Sequence, residues 1–283
     1  MILVTGANGM VGSYVQEVFR NEELALTDLP EMDVTDRDKV FTLISRHKPA
    51  VVLHLAAETD VDKCESEIDH AYRSNTMGTQ NIALACQKYK AVMIYISTGG
   101  VFNGREGQVH TEFDRPEPLN VYSQAKYQGE LIVRDLLTEF YIFRAGWMIG
   151  GGPAKDKKFV GKIIELCRTR PEIEVVNDKF GSPTFARDFL GGIKEIIGLG
   201  AYGCYHLVNT GCCTRYEIAL EIVKVLGTKT KVKPVGSDRF PLPAPRSASE
   251  AMRNYKLDLL GINPMPEWKS ALAQYVKEWQ ENG

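Results

Sequence analysis

Tyr122 and Lys126 lie four positions apart in the run "NVYSQAKYQGE". On a helix, positions i and i+4 share a face. An ammonium beside a phenol stabilises the phenolate and draws its pKa from about 10 toward neutrality. A tyrosine placed this way can exchange a proton with a carbonyl oxygen near neutral pH. An amphipathic surface helix carries the same spacing, so context decides between the two. The run "ISTGGVFNG" supplies that context: it ends in Ser97 and Thr98, then turns through Gly99 and Gly100. Thr98 is the hydroxyl expected to hold a substrate oxygen opposite Tyr122. Ser97 beside it is expected to lie near the cofactor. A strand-end capping hydroxyl is the plainer alternative.

The opening run "VTGANGMVG" places Gly6, Gly9 and Gly12 directly after an apolar segment. The first glycine suits a tight turn, the second a close approach to a pyrophosphate, the third helix–sheet packing. Asn8, Met10 and Val11 lie between them, in the loop expected to wrap phosphate on free N–H groups. Asp28 ends the next apolar run, about twenty residues on, where an acidic side chain accepts from both ribose hydroxyls and repels a 2′-phosphate. The cofactor expected is therefore NADH or NADPH, with Asp28 favouring NADH. In "DVTD", Asp33 and Val34 are expected to end a third strand and line the adenine pocket, with an N-cap at Thr35 or Asp36. Ala56 and Ala57 would pass the cofactor at the end of a further strand. Asn75, inside the helix predicted over 68–88, joins this set.

The elements that must position these groups follow from periodicity. Near-continuous apolar runs at 2–5, 24–27, 50–56, 91–97 and 141–145 read as strands buried on both faces. Amphipathic stretches near 10–20, 36–47, 68–88 and 122–138 alternate with them. That order predicts an α/β fold, a Rossmann-like doubly wound parallel sheet. A smaller C-terminal α/β domain is expected to take the substrate. The boundary falls at 146/147, with later segments returning to the first domain. Helices are predicted near 158–170, at "TRYEIALEIVKVLG" and over 267–281, and a strand at "CYHLVN". The prolines of "RFPLPAPRSAS" exclude regular structure there.

Composition narrows the class. A formal charge of −2 over 283 residues gives no basic surface for nucleic acid or an anionic membrane. No run approaches the roughly 18 apolar residues of a membrane span. "MILVTGANG" lacks the basic start of a signal peptide. Six scattered cysteines without a CxxC pair fit reduced thiols and a cytoplasmic protein. His54, His110 and His206 show no metal-ligand spacing and read as structural or surface residues.

Together these residues resemble the extended short-chain dehydrogenase/reductase superfamily, and within it the dTDP-4-dehydrorhamnose reductase family. The resemblance rests further on "AAETDVDKCESE", "FRAGW", "VVNDKFGSPTFARD", "YGCYHLVNTG" and "LGINPMPEWKSAL". It implies hydride delivery to C4 of dTDP-6-deoxy-L-lyxo-4-hexulose, the last step of dTDP-L-rhamnose synthesis. Tyr122 would protonate the new alkoxide, Lys126 would hold the nicotinamide ribose, and Thr98 would orient the ketone. Thr59, Val61 and Asp62 would lie near cofactor and substrate, with Gly99 at the sugar. Trp147 would pack on the sugar. Thr184 and Arg187 would shape the substrate half, and Arg246 would meet the nucleotide diphosphate.

Departures from the family pattern cluster at the substrate side. Gly99-Gly100 stands where the family has Asp-Tyr, Lys157-Lys158 where it has two asparagines, and Ser247 where it has proline. The glycines also remove the acid–base pair that a related dehydratase carries. Some members form magnesium-bridged dimers through a glutamate of the first helix. Tyr14 occupies that position here, so no metal is expected, and the chain is expected to be a monomer or homodimer. Another sugar-nucleotide 4-keto reductase or epimerase remains open. So does a non-catalytic regulatory subunit like the methionine adenosyltransferase β subunit.

Overall fold

The computed structural model describes residues 1–282. Six parallel strands form the central sheet: β1 (Ile2–Thr5), β2 (Leu24–Leu26), β3 (Val51–His54), β4 (Val92–Thr98), β5 (Phe140–Ala145) and β6 (Gly203–His206). Their spatial order is β6-β5-β4-β3-β1-β2. The order reverses beside β1, and in such sheets ligands bind in the crevice at the carboxyl ends of the strands next to that reversal. Leu3, Val4, Leu53 and Ile142 are fully buried, as the unbroken apolar runs require.

Helices cover both faces. On one side α1 (Val15–Val18) and α5 (Ala186–Gly198) pack on Val4, Leu53, Ile94 and Phe143. On the other, α2 (Arg37–His47), α3 (Gly78–Tyr89) and α4 (Val121–Leu136) pack on Leu3, Val52, Met93 and Ile142. A separate apolar cluster joins Phe159–Thr169, Arg215–Leu226 and the last helix, α6 (Trp268–Asn282), through Ile164, Ile222 and Val276. Four two-stranded pieces lie outside the central sheet among the described residues, one of them pairing Glu172–Val176 with Lys231–Val235. Trp147–Ile149 pairs with Pro183–Phe185, Phe180–Gly181 with Cys213–Thr214, and Ala251–Met252 with Val109–His110.

Three local expectations are corrected. "DVTD" forms no strand. Asp33 accepts from both the amide (2.9 Å) and the hydroxyl (2.7 Å) of Thr35, which folds the segment into a turn. Asp36 then caps α2 by accepting from the Lys39 amide. The helix expected over 10–20 is a 3-10 turn at Gly12–Tyr14 and one α turn, ended where Phe19 drops into the core. β-branched and aromatic residues at Val11, Tyr14, Val15 and Val18 give it little intrinsic helical support. The helix expected over 68–88 is interrupted by a π turn at Arg73–Met77, which carries the buried Asn75.

Candidate active site

The glycine loop turns as its spacing requires. Gly6 has φ +67°, and a Cβ there would fall 2.7 Å from the Ala56 amide nitrogen. A Cβ at Gly12 would fall 2.3 Å from the Ala7 carbonyl oxygen, so only glycine lets the helix start pack this tightly. Above Gly9 the space is open except for the Gly6 carbonyl. Among the described residues, none accepts from the amides of Met10 or Val11. An open cradle with two free N–H groups fits a dinucleotide pyrophosphate. Asp28 closes the loop: its two carboxylate oxygens accept from the Asn8 and Leu29 amides, each at 2.7 Å. Lys155 crosses from the other side and donates to the Asn8 carbonyl.

The floor of the crevice is pinned by Asn75. Its side chain accepts from the Glu58 amide and donates to the Glu58 carbonyl, both at 3.0 Å, fixing the Ala57–Thr59 backbone. Thr5 accepts from the Ala56 amide and bonds the His54 ring at 2.8 Å. Burial pushes His54 down to about 3, so it is a neutral structural group. Val34 is buried against the start of α3, where a Cβ at Gly78 would fall 2.8 Å from its Cγ2.

Asn120 caps α4 by accepting from the Ser123 amide, and Glu65 accepts from the Val121 amide. This fixes the first turn, which carries Tyr122, and places Lys126 one turn further along the same face. Thr98, the last residue of β4, accepts from the Gly100 amide at 3.0 Å, and its hydroxyl lies beside Tyr122, where it lowers the phenol's pKa. A Cβ at Gly100 would fall 2.5 Å from Ser123 Oγ, and one at Gly99 2.8 Å from Met252 Cε. The two glycines thus let α4 approach the strand end on one side and let the Glu250–Met252 segment cross it on the other.

The charge states differ from the expectation that Lys126 lowers Tyr122. Burial raises the Tyr122 phenol, the buried Cys64 adds to this, and the Thr98 hydroxyl opposes it. Lys126 is 4% exposed, and burial brings it down to about 7, against the pull of Glu130. Its ammonium lies 4.2 Å from the Tyr95 ring. Desolvation is the largest cause for both groups, and Lys126 is not among the groups that shift Tyr122.

Several expected substrate residues meet one another. Asp62 accepts from the Ala244 amide and forms an ion pair with Arg246 at 3.0 Å. Val61 begins the short helix that Asp60 caps, while Thr59 is exposed just before it. Trp147 carries Arg215 over its ring at 3.8 Å, and Gly181 presses so close that a Cβ would fall 2.3 Å from the indole. Three expected residues have other duties. Thr184 is fully buried and braces the Gly146 amide at 2.9 Å. Ser97 donates to Glu130 at 2.6 Å inside the core. Arg187 pairs with Glu17 and Glu278 beside the Tyr14 ring, joining α1, α5 and α6 away from Tyr122. Tyr14 itself accepts from the Gly151 amide.

Two residues at the pocket escaped the sequence reading. A capping box at Thr214 and Glu217 sets Arg215 at the first turn of Arg215–Leu226, wedged between Trp147 and Phe159. Burial lowers its pKa to about 10, with Glu250 and Cys213 opposing and Arg246 assisting. Among the described residues no carboxylate comes within ion-pair distance of it. Glu250 faces Tyr122, Arg215 and Arg246; burial raises its carboxyl, and the two arginines and the Trp147 indole oppose that. An arginine at a helix start was a readable signal for Arg215. Glu250 sits in irregular chain and had none.

A parallel sheet with a glycine cradle at its reversal point, and a threonine–tyrosine–lysine set beside it, defines the extended short-chain dehydrogenase/reductase class. The family model described as "RmlD substrate binding domain" matches residues 1–281. A dTDP-4-dehydrorhamnose reductase of Mycolicibacterium smegmatis is 34% identical, covering 97% of this chain and 84% of the relative. The crystal structure of such a reductase from Clostridium acetobutylicum superposes with a TM-score of 0.94 at 37% identity, covering 99% of each chain. One from Bacillus anthracis, in complex with NADP, gives 0.93 at 35% identity, covering 98% of each. The chain belongs to the dTDP-4-dehydrorhamnose reductase family. Among the described residues, no helix is long and apolar enough to cross a membrane, and no His, Cys, Asp and Glu cluster could hold a metal ion. All six cysteines are free thiols.

Proposed function

We propose that this protein is a dTDP-4-dehydrorhamnose reductase, an NAD(P)H-dependent oxidoreductase of the cytoplasm. It would reduce the C4 ketone of dTDP-6-deoxy-L-lyxo-4-hexulose to give dTDP-L-rhamnose. The observation that carries the reading is the placement of Tyr122 beside the Thr98 strand end at the crevice, with Lys126 one turn behind on the same helix. When bound, the nicotinamide supplies the hydride. Thr98 and Tyr122 hold the ketone oxygen from two sides, and Tyr122 gives its proton to that oxygen as charge develops. A high phenol pKa keeps Tyr122 protonated and ready to donate at neutral pH. Lys126 then stabilises the phenolate left behind.

The cofactor would lie on Gly6, Gly9, Met10 and Val11, with Asp28 at the adenosine ribose favouring NADH. The sugar nucleotide would enter over Trp147, with Arg215 and Arg246 meeting its diphosphate. Gly99 and Gly100 carry no acid–base pair, which favours reduction over dehydration. The test is NADH or NADPH oxidation with the 4-keto substrate; no turnover above background with either cofactor would sink the proposal.

A further inference from the structure

Tyr122, Lys126 and Glu130 follow each other at four-residue steps along one face of α4. Glu130 is fully buried, an expensive place for a carboxylate unless it is held on every side. Arg144 holds it with two bonds, at 2.8 and 2.7 Å. Ser97 donates the third, at 2.6 Å. Ser97 and Arg144 are partners in the β4–β5 register, and the next pair is Thr98 and Ala145. The carboxylate therefore ties α4 to both strands one residue behind the Thr98 hydroxyl.

We propose that Glu130 is a positioning residue for the reduction, setting the charge on Lys126 and the seat of the Tyr122 helix against the Thr98 strand end. This rests on the reductase reading of the site. The groups facing Lys126 are few. From β3 comes His54, engaged with Thr5 and Thr79. From β4 comes the Tyr95 ring, whose hydroxyl donates to the Lys126 carbonyl. Tyr122 and Glu130 lie on its own helix. Glu130 is the one group of these that supports the ammonium against burial. Behind Glu130 stand Arg144, His206 at 3.5 Å from Arg144, and Arg134 at 3.6 Å from the carboxylate. Arg144 balances Glu130, yet of the two only Glu130 bears on the Lys126 charge.

The test compares pH–rate profiles of wild type, E130Q and E130Q/R144Q. Loss of protonated Lys126 sets the alkaline limb of wild-type turnover. E130Q leaves Arg144 alone and should move that limb to lower pH by at least one unit, a tenfold change in proton affinity. E130Q/R144Q removes both charges and should fall between E130Q and wild type. If the buried arginine keeps E130Q from folding, the double variant carries the test, since it leaves no unpaired buried charge. E130D should restore most of the wild-type profile. Profiles that superimpose on wild type and differ only in height would overturn the proposal. The Lys126 ε-methylene, followed by NMR in the same proteins, should titrate in the same order. That readout holds whether or not the 4-keto sugar is turned over, so failure of the reductase reading is a separate result.

Discussion

Gly100 and Ser123 share one space: a Cβ on the glycine would fall 2.5 Å from the serine Oγ. Ser123 is 1% exposed and follows Tyr122 directly, so the second glycine of the turn sets how near Tyr122 comes to Thr98. Gly100→Ala should cost ~1–3 kcal/mol of stability through overpacking. It should lower turnover further by pushing α4 away from the strand. Ser123→Ala leaves its Cβ 3.6 Å from the added carbon and should recover most of both losses. Thermal melts and initial rates on the two singles and the double variant check this. No recovery would mean that the crowding lies elsewhere.

Tyr122→Phe removes the proton donor and keeps the ring. Turnover should fall by about two to four powers of ten, with the fold intact. Rates measured at saturating cofactor, beside a circular dichroism spectrum, decide the matter. An undiminished rate would favour the regulatory-subunit reading.

Lys126→Met should separate stability from activity. The folded pKa of Lys126 is about 7 against an ordinary 10.5. Below pH 7 both states hold the proton, and the cost of burying the ammonium is fully present. Between 7 and 10.5 the unfolded chain binds the extra proton, so this group's contribution to stability rises with pH. The methionine variant should therefore melt higher than wild type at pH 6, with the gap narrowing toward pH 9.5, while turnover is lost. A gap that widens with pH would contradict the assignment.

Arg215→Met should raise KM for the sugar nucleotide about tenfold or more, as expected for losing a charge-assisted hydrogen bond worth ~1.5–3 kcal/mol. KM for the cofactor should stay put. Arg187→Ala is the contrasting case. Its guanidinium is committed to Glu17 and Glu278, so both KM values should stay within about twofold. The melting point should move by no more than ~1 kcal/mol of exposed ion pairing would give. A rise in substrate KM on losing Arg187, or none on losing Arg215, would reverse the two assignments.

The inner strands of the sheet were legible because they are apolar runs buried on both faces, whereas the edge strand β2 is only half-buried, and the glycine loop because Gly6 and Gly12 have no room for a side chain. The Tyr122 helix was legible from its cap and its four-residue spacing. Charge states were not. Periodicity places Tyr122 and Lys126 on one face, but burial depth sets their pKa values, and depth is a property of the assembled sheet. The partners of Thr184, Ser97 and Arg187 were not legible for a related reason: which protein group a polar side chain meets is settled only when distant elements pack. Glu250 could not be foreseen at all. It reaches Tyr122 through a bridge from irregular chain at Ser249 to Phe180, a contact between residues about seventy apart.

Asp28 carries the last prediction. Each of its oxygens already accepts one backbone N–H, from Asn8 and from Leu29. A carboxylate oxygen has a second lone pair, so a ribose diol can still be bound. A 2′-phosphate would meet a fixed negative charge that the loop itself holds in place, because turning the side chain away would break both bonds. Asp28→Ser should therefore raise kcat/KM for NADPH relative to NADH by about tenfold or more, in line with the repulsion between two like charges near a partly screened surface. It should also loosen the Asn8 turn and weaken binding of both cofactors. Steady-state ratios for the two cofactors, before and after substitution, measure it. A wild-type preference for NADPH that the substitution leaves unchanged would show that the carboxylate serves the loop alone.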